Sequence, residues 1–234
     1  GANRRFSKSI NDSNKKTLTL LKQDNSLIDE IKKSDMDIAV QSRYISDIGF
    51  PVYRNTQTLY FASGEEFFVS FIENLKKAKR FIFIEFFIIN KGLMWNTVLS
   101  ILEQKVKEGV DVRVMYDDAG CLNKLPYRYY KELRNKGIKC FVFNPISPII
   151  EIRMNHRDHR KIIIIDGNIG YTGGINLSDE YINAKEKFGH WKDAAILVEG
   201  EAVWNMTIMF LQLWSFISKQ VMGSSKEYYQ EDYN

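Results

Sequence analysis

The fold is decided by residues 155–176, which read NHRDHRKIIIIDGNIGYTGGIN. Residues 162–165 are β-branched throughout and are followed by Asp166-Gly167, a pair favoured in tight turns, so this run predicts a buried strand that enters a hairpin. Residues 169–172 predict the second strand, which returns toward the end at which the first began. The stretch therefore predicts an apolar β-hairpin inside a sheet.

Polar groups converge on one edge of this hairpin. His159 and Lys161 are two residues apart, so on a strand they face the same side, about 6.6 Å apart along it, and one phosphate could bridge them. Asn176 arrives at the same end just past Gly173 and Gly174. A lone histidine on a strand is more often a hydrogen-bonded structural residue, but the added Gly-Gly-x-Asn favours a functional site.

A basic cluster surrounds His159, and only Asp158 opposes it in charge. Its members are Arg153, Arg157, Arg160 and Lys161. Such a cluster beside a candidate nucleophile indicates a phosphate-bearing substrate, although by itself it is more often a solvated face.

The pattern His159-x-Lys161-x(4)-Asp166 with Gly173-Gly174-x-Asn176 resembles the HKD signature of the phospholipase D superfamily, and in particular bacterial cardiolipin synthases. The resemblance runs from about Gly49 to Phe216, and it includes residues 179–181 and 188–193. It implies an α/β fold in which a phospholipase D-like mixed β-sheet is sandwiched by α-helices. Cardiolipin synthases carry two such motifs, and this chain carries one, so the resemblance implies a single HKD half-domain.

The resemblance also implies roles for the catalytic candidates. His159 would be the nucleophile that forms a phosphohistidine, and Lys161 and Asn176 would hold the phosphoryl oxygens as charge builds up. Asp193 would orient the imidazole. Asp166 completes the motif and is kept in the catalytic group, although its place in the turn predicts that it pins the hairpin or Lys161. No metal or other cofactor is expected.

Arg157, Arg160, Gly173 and Gly174 are the candidates for substrate binding. Glu85 joins them because the resemblance places it near the site, yet it interrupts the apolar run 81–89. A carboxylate in such a run needs a partner, and an ion pair is its commoner role. Asp117 and Asp118 end another predicted strand and could border the site. Adjacent strand residues point to opposite faces, which argues against a metal there.

The expected chemistry needs a second histidine to protonate the leaving alcohol and then to activate the incoming one. His156 would face away from His159 on an extended strand, and His190 is a spare candidate. The resemblance implies that the second histidine comes from a second HKD half, either in a homodimer or from another part of a longer protein. A two-fold interface is the simplest self-complementary assembly.

Composition bounds the remaining possibilities. The chain has 234 residues, of which 44% are hydrophobic, so it can bury a sizeable core in one domain. A net charge of +4 suits anionic lipid, but no basic stripe with interleaved aromatics is evident, which argues against nucleic acid as a partner. Two cysteines make neither a disulfide framework nor a zinc site. The expected partners are phosphatidylglycerol and a membrane surface, at the cytoplasmic face of a bacterial cell membrane.

The pattern divides the chain into three parts. Residues 1–48 predict a polar tail and an amphipathic helix at 16–34, residues 49–222 predict the phospholipase D-like domain, and residues 223–234 predict a loose tail. The domain is predicted to have strands at 59–61, 81–89, 110–116, 139–143 and 193–198 besides the hairpin, and helices at 63–79, 95–108, 127–136 and 200–219. A loop at 145–148 is a candidate cleft wall or lid, with Ile149 and Ile150 toward acyl chains.

No run of about 18 apolar residues is present, and no signal peptide is evident. Together with the missing second motif, this favours a fragment of a longer protein over a naturally short homologue. The leading functional prediction is phosphatidyl transfer from one phosphatidylglycerol to another with release of glycerol. The alternatives are a dimeric phosphodiesterase or nuclease, and an incomplete half-domain that only binds anionic lipid.

Overall fold

The computed structural model describes residues 20–21, 23–145, 157–219 and 225–229. Seven strands form one sheet: β1 Thr56–Phe61, β2 Phe81–Phe86, β3 Asp111–Asp117, β4 Lys139–Phe143, β5 Lys161–Ile165, β6 Ile169–Gly173 and β7 Ala195–Gly200. The helices of the described part are α1 Asn25–Ser34, α2 Met36–Asp47, α3 Gly64–Lys77, α4 Leu93–Lys107, α5 Asp118–Cys121, α6 Tyr129–Asn135 and α7 Val203–Ser218. Two short 3-10 turns, Asp179–Ile182 and Ser225–Tyr228, complete the elements.

The sheet is mixed, and its strand order is β1-β7-β6-β5-β2-β3-β4. Strands β2, β3 and β4 are parallel because helices α4 and α6 return the chain across the sheet between them. The other neighbours, from β2 to β5 and on through β6, β7 and β1, pair antiparallel. The predicted hairpin is confirmed as β5 and β6, with Ile162 opposite Thr172.

Helices cover both faces of the sheet, as predicted. Alternate side chains of β2 show this arrangement, because Ile82 and Ile84 pack with Phe71 and Trp95 on the side of α3 and α4. Phe83 faces the other side, where its ring stacks on Phe210 of α7 at a centroid distance of 4.6 Å. The central strands are therefore buried on both faces, which explains their continuous apolar runs.

The register brings a set of loops to one end of the sheet. Phe86, which ends β2, lies opposite Lys161, which begins β5, and Gly173, which ends β6, lies opposite Ala195, which begins β7. The loops after β1, β2 and β3, residues 144–145 after β4, residues 157–160 before β5 and the connection from β6 to β7 therefore meet at one end. We call it the His159 end of the sheet.

Several predicted bounds change. The strand predicted at 81–89 ends at Phe86, because the following loop turns to bridge Ile89 with Leu177. Within the described residues, the helix predicted at 16–34 begins only at Asn25, after the cap Asp24, and it ends at Ser34 as predicted. A further helix that was not predicted, α2, follows it and is capped by the carboxylate of Asp35. The predicted loose tail is corrected at Ser225–Tyr228, where the Tyr228 ring packs 5.2 Å from that of Phe81.

Other predictions lie outside the described residues. They concern residues 1–19, His156, Arg153, the loop beyond Pro145 with Ile149 and Ile150, and the tail beyond Tyr229. Within the described part of the chain, no helix combines the length and the apolar character needed to cross a membrane.

Candidate active site

His159 lies in the short segment that leads into β5, and its side chain is exposed. One side of its ring is supported by Phe87, the first residue after β2, at a centroid distance of 4.8 Å. The imidazole is therefore both held by the end of a core strand and accessible to a ligand. These are the two requirements for a histidine that acts as a nucleophile.

Lys161, the first residue of β5, is buried beside the imidazole. Its Nζ donates to the carbonyl oxygen of His159 at 2.8 Å and lies 3.2 Å from each of the ring nitrogens Nδ1 and Nε2. The lone-pair directions of the two nitrogens diverge, so an atom equally far from both cannot lie along both. The Lys161 ammonium therefore lies beside the imidazole without forming a well-aligned hydrogen bond to either ring nitrogen.

The electrostatics of Lys161 follow from its position. Burial lowers the pKa of the Lys161 ammonium, while the negative charges of Asp193 and Asp158 oppose that shift. Because the ammonium is little hydrated, a phosphate that reached it would interact with it more strongly than with an exposed lysine. The predicted pairing of His159 with Lys161 at one spot is what the structure shows.

Asp193 precedes β7 and comes close to the backbone that follows β6. Its Oδ1 accepts the N–H of Ala194 at 2.8 Å, and a Cβ atom built on Gly174 would lie 2.1 Å from the same oxygen. Gly173 is equally confined, since its Cβ would lie 2.4 Å from the carbonyl oxygen of Ala194, at a φ of +157°. The two glycines thus permit the close approach of Asp193. No hydrogen bond between described residues joins Asp193 to His159.

Asn176 is buried and already bonded at both ends of its amide. Its Oδ1 accepts the N–H of Ile88 at 3.0 Å, and its Nδ2 donates to the hydroxyl of Tyr181 at 2.8 Å. It therefore ties the loop after β2 to the turn after β6. The side-chain nitrogen of Asn176 carries two hydrogens, and one is bonded to Tyr181. The predicted hydrogen bond to a phosphoryl oxygen would have to be donated by the other.

Asp166 is the member of the motif that the structure does not bring to the site. It lies in the turn after β5, separated from Lys161 by the whole strand, about 16 Å. Its carboxylate accepts the N–H groups of Lys79, Arg80 and Phe81 at 2.8, 2.7 and 3.0 Å. Its place in the catalytic group is thus corrected, because it pins the start of β2 to the hairpin at the opposite end of the sheet.

Glu85 and Arg160 form a buried cluster with Asp158 beneath the segment that carries His159. Arg160 Nε lies 2.8 Å from Glu85 Oε1 and 3.0 Å from Asp158 Oδ1. Burial raises the pKa of Glu85 well above its ordinary value, Arg160 opposes this and Asp158 adds to it. Although Arg160 Nε lies 2.8 Å away, neither carboxyl oxygen of Glu85 accepts a well-aligned hydrogen bond from a described residue, whereas a protonated Glu85 can donate to Asp158. Arg160 is thus the partner expected for Glu85, at ion-pair distance, while burial favours the protonated carboxyl.

Asp117 was predicted only to border the site, and the structure gives it a larger part. From the end of β3 its buried carboxylate accepts the N–H of Asp158 at 3.1 Å and lies 3.5 Å from the guanidinium of Arg157. Burial raises the pKa of Asp117, although these neighbours oppose the shift. Both arginines predicted to bind substrate, Arg157 and Arg160, are thus paired with acids, and their contact with substrate stays a prediction.

His190 is the other histidine of the described chain, and it is exposed at the same end of the sheet. The neighbouring loop is braced by Asn183, which exchanges hydrogen bonds with the backbone of Trp191 at 2.7 and 2.9 Å. His190 lies close enough to Glu65 for its charge to help lower the pKa of that carboxyl, after the hydrogen bond from Asn183. Among the described residues no group of three or more potential ligands could hold a metal ion.

The fold and the His159–Lys161 site define the chain as a phospholipase D-like α/β protein. A solved structure with the same fold is the phosphatidylserine synthase of Haemophilus influenzae, with a TM-score of 0.53 and 18% identity over 66% of this chain and 35% of that one. Residues 71–214 match the family described as "Cardiolipin synthase, PLD-like domain". The chain belongs to this family.

Two relatives show how far the similarity extends. An uncharacterized protein of Streptococcus mutans is 54% identical over 73% of this chain and 37% of its own length. The cardiolipin synthase of Oceanobacillus iheyensis is 39% identical over 73% of this chain and 35% of its own length. The chain spans about a third of the length of the relatives it matches.

Proposed function

We propose that this chain supplies the nucleophilic half of a cardiolipin synthase site, which transfers a phosphatidyl group from one phosphatidylglycerol to another and releases glycerol. The observation that carries the proposal is an exposed imidazole, His159, with the buried ammonium of Lys161 3.2 Å from both of its ring nitrogens. Membership of the cardiolipin synthase family supports the choice of substrate. The site would work at the cytoplasmic face of a bacterial cell membrane.

The first step forms a bond between a ring nitrogen of neutral His159 and the phosphorus of phosphatidylglycerol. The bond from phosphorus to the glycerol oxygen breaks, and an acid gives a proton to the departing glycerol. The negative charge that builds on the phosphoryl oxygens would be stabilised by the Lys161 ammonium and by the second N–H of the Asn176 amide. Asp193, beside Gly174, would orient the imidazole once substrate is bound.

The second step reverses the first with a different alcohol. A hydroxyl of the second phosphatidylglycerol attacks the phosphorus, the bond to the histidine nitrogen breaks, and the proton of that hydroxyl returns to the base that was the acid before. The products are cardiolipin and free His159. No net charge or proton is gained over the two steps.

The segment that carries His159 is held on both sides, which supports this assignment. Asp117 binds the backbone N–H of Asp158, the residue before His159, and Glu85 pairs with Arg160, the residue after it. A nucleophile held by fixed neighbours loses less freedom when substrate binds, and small displacements of such groups are costly to the rate.

The acid of the first step has to come from a second imidazole. We place it in a second HKD half, supplied by another copy of this chain across a two-fold axis or by another part of the protein. If it comes from another copy, the specific activity rises with protein concentration over the range in which dimers form. If His190 serves instead, the activity is independent of concentration and is lost in His190→Asn.

The test is to incubate the chain with phosphatidylglycerol vesicles and to measure cardiolipin and glycerol by mass spectrometry. If a second copy of the chain supplies the acid, the proposal predicts equal amounts of both products from the unaltered chain and none from His159→Asn. If the acid belongs to another part of the protein, the chain alone gives neither product, and only the first step can be followed with it. The matched control is His190→Asn, which is expected to retain turnover when a second copy is the acid. Hydrolysis of a soluble phosphodiester without any cardiolipin would replace the proposal with a phosphodiesterase.

A further inference from the structure

We propose that the His159 end of the sheet docks directly on an anionic bilayer surface, through a rim of exposed apolar and cationic side chains around the imidazole. The inference rests on the proposed function and names the partner of that site. The rim belongs to three loops, residues 87–93, 118–128 and 174–194, all of which are described.

Large apolar side chains project from each of the three loops. Their exposed fractions are 60% for Leu93, 56% for Leu122, 86% for Tyr127 and 79% for Phe188. Single exposed apolar residues are ordinary on a soluble protein, but these four share one end of the sheet with the candidate nucleophile.

The exposed charges of the same loops are almost all positive. The cations are Lys91, Arg128, Lys185, Lys187 and Lys192, and within these loops the one exposed acid is Glu186. The other acids there, including Asp179 and Asp193, are buried or half-buried because they cap helices and brace the backbone. Lys91 lies 3.3 Å from Glu132 and Lys187 lies 3.6 Å from Glu180, so these two charges are partly compensated. The exposed cations of the three loops still outnumber their one exposed acid, and the outward charge is complementary to an anionic surface.

Cations and apolar groups are also paired locally. The guanidinium of Arg128 lies 4.9 Å from the ring centre of Tyr127, and the ammonium of Lys187 lies 5.3 Å from that of Phe188. A ring that enters the headgroup region next to a cation that meets lipid phosphates is the arrangement expected at a membrane interface. Nucleic acid fits less well, because Leu93 and Leu122 cannot stack on bases as aromatic rings do.

The loops with this rim are the ones that build the site. Phe87 supports the ring of His159, the loop 118–128 begins directly after Asp117, and Asp193 acts on Lys161. A bilayer against the rim would therefore lie over the loops that build the site. The lipid would not have to leave the membrane to react.

The experiment measures flotation of the chain with vesicles of phosphatidylcholine alone or mixed with phosphatidylglycerol. We expect binding only to the mixed vesicles, with loss at high salt, and a fall of about tenfold or more in Tyr127→Ser/Phe188→Ser. In Lys187→Gln/Lys192→Gln the expected loss is about fivefold per charge, roughly 25-fold in all. Matched controls are Tyr60→Ser on the edge strand β1 and Lys76→Gln/Lys77→Gln at the opposite end of the sheet, which leave binding unchanged.

Three results would overturn the inference. They are equal binding to both vesicle types, an equal loss in the control variants, and a change of oligomeric state in Phe188→Ser, which would make the rim a protein interface. Displacement of the chain from vesicles by duplex DNA at the same salt concentration would point to nucleic acid instead.

The inference and the proposed function can fail separately. Rim variants are expected to attack a water-soluble p-nitrophenyl phosphodiester at the normal rate, because the rim only brings the site to the membrane. Vesicle binding without any turnover would contradict the proposed function but would still support the rim as a membrane-docking surface. If the unaltered chain forms cardiolipin and the rim variants bind vesicles as well as it does, the proposed function holds and the membrane-docking rim is refuted.

Discussion

Replacing Asp166 separates the structural part of the HKD motif from its chemical part. Its carboxylate accepts three backbone N–H groups, those of Lys79, Arg80 and Phe81, at 2.7 to 3.0 Å. The residue also has a φ of +55°, a left-handed conformation that asparagine tolerates and alanine does not. Both features predict a loss of folding stability when the side chain is removed, at a distance from His159.

The magnitude follows from these contacts. Three hydrogen bonds of about 1 kcal/mol each, with about 1 kcal/mol more for alanine in the left-handed region, give a loss of about 4 kcal/mol in Asp166→Ala. For a chain of this length that corresponds to a fall of roughly 8–16 °C in the melting temperature. Asp166→Asn keeps the conformation and one acceptor oxygen, so it should lose about 1 kcal/mol.

Thermal and urea unfolding measure the stability, and turnover is measured far below the melting temperature. We expect both variants to keep turnover within about twofold of the unaltered chain, since Lys161 lies about 16 Å away along β5. A hundredfold loss of turnover in Asp166→Asn, with an unchanged melting temperature, would refute the structural assignment and return Asp166 to the catalytic group.

Three further predictions concern the site itself. Gly174→Ala would place its Cβ 2.1 Å from Asp193 Oδ1, so turnover should fall at least tenfold. Gly109→Ala meets nothing within 4 Å, and its φ of +87° predicts a loss of folding stability but unchanged turnover below the melting temperature; equal rates in both variants would contradict this. Because burial raises the pKa of Glu85, the folded chain keeps a proton that the unfolded chain releases. The free energy of unfolding should therefore fall as the pH rises above the ordinary pKa of glutamate. Urea titrations at several pH values should show a smaller pH dependence in Glu85→Gln, and an unchanged dependence would exclude the raised pKa. Because burial lowers the pKa of Lys161, turnover should fall at a pH below the ordinary lysine pKa, and this fall should move to higher pH in Lys161→Arg. An alkaline limb of the pH–rate profile at the same pH in the unaltered chain and in Lys161→Arg would contradict this.

The parts of the fold that could be predicted have a local cause. The β5–β6 hairpin is specified by its β-branched run and its Asp-Gly turn, and helix α3 by Ser63, whose hydroxyl accepts the N–H of Glu66. The meeting of His159 with Lys161 follows from the two-residue period of a strand. In each case the residues that decide the structure are close together in the chain.

The parts that could not be predicted depend on contacts between distant segments. Asp117 binds the N–H of Asp158, 41 residues further on, and nothing in the local pattern around either residue shows that they meet. The same holds for the amide of Asn176, whose partner Ile88 belongs to another loop. The apparent catalytic role of Asp166 came from its place in a linear motif, although its strand carries it to the far end of the sheet.

The central claim is that His159 is the nucleophile. It is tested most directly with a phosphatidyl ester of p-nitrophenol that carries a labelled phosphate, because this leaving group departs without help from an acid and needs no second histidine. After an alkaline quench, we expect label on His159 by peptide mass spectrometry, stable to base, lost in acid, and absent from His159→Asn. Release of p-nitrophenol with no label on His159, or the same label in His159→Asn, would contradict the account.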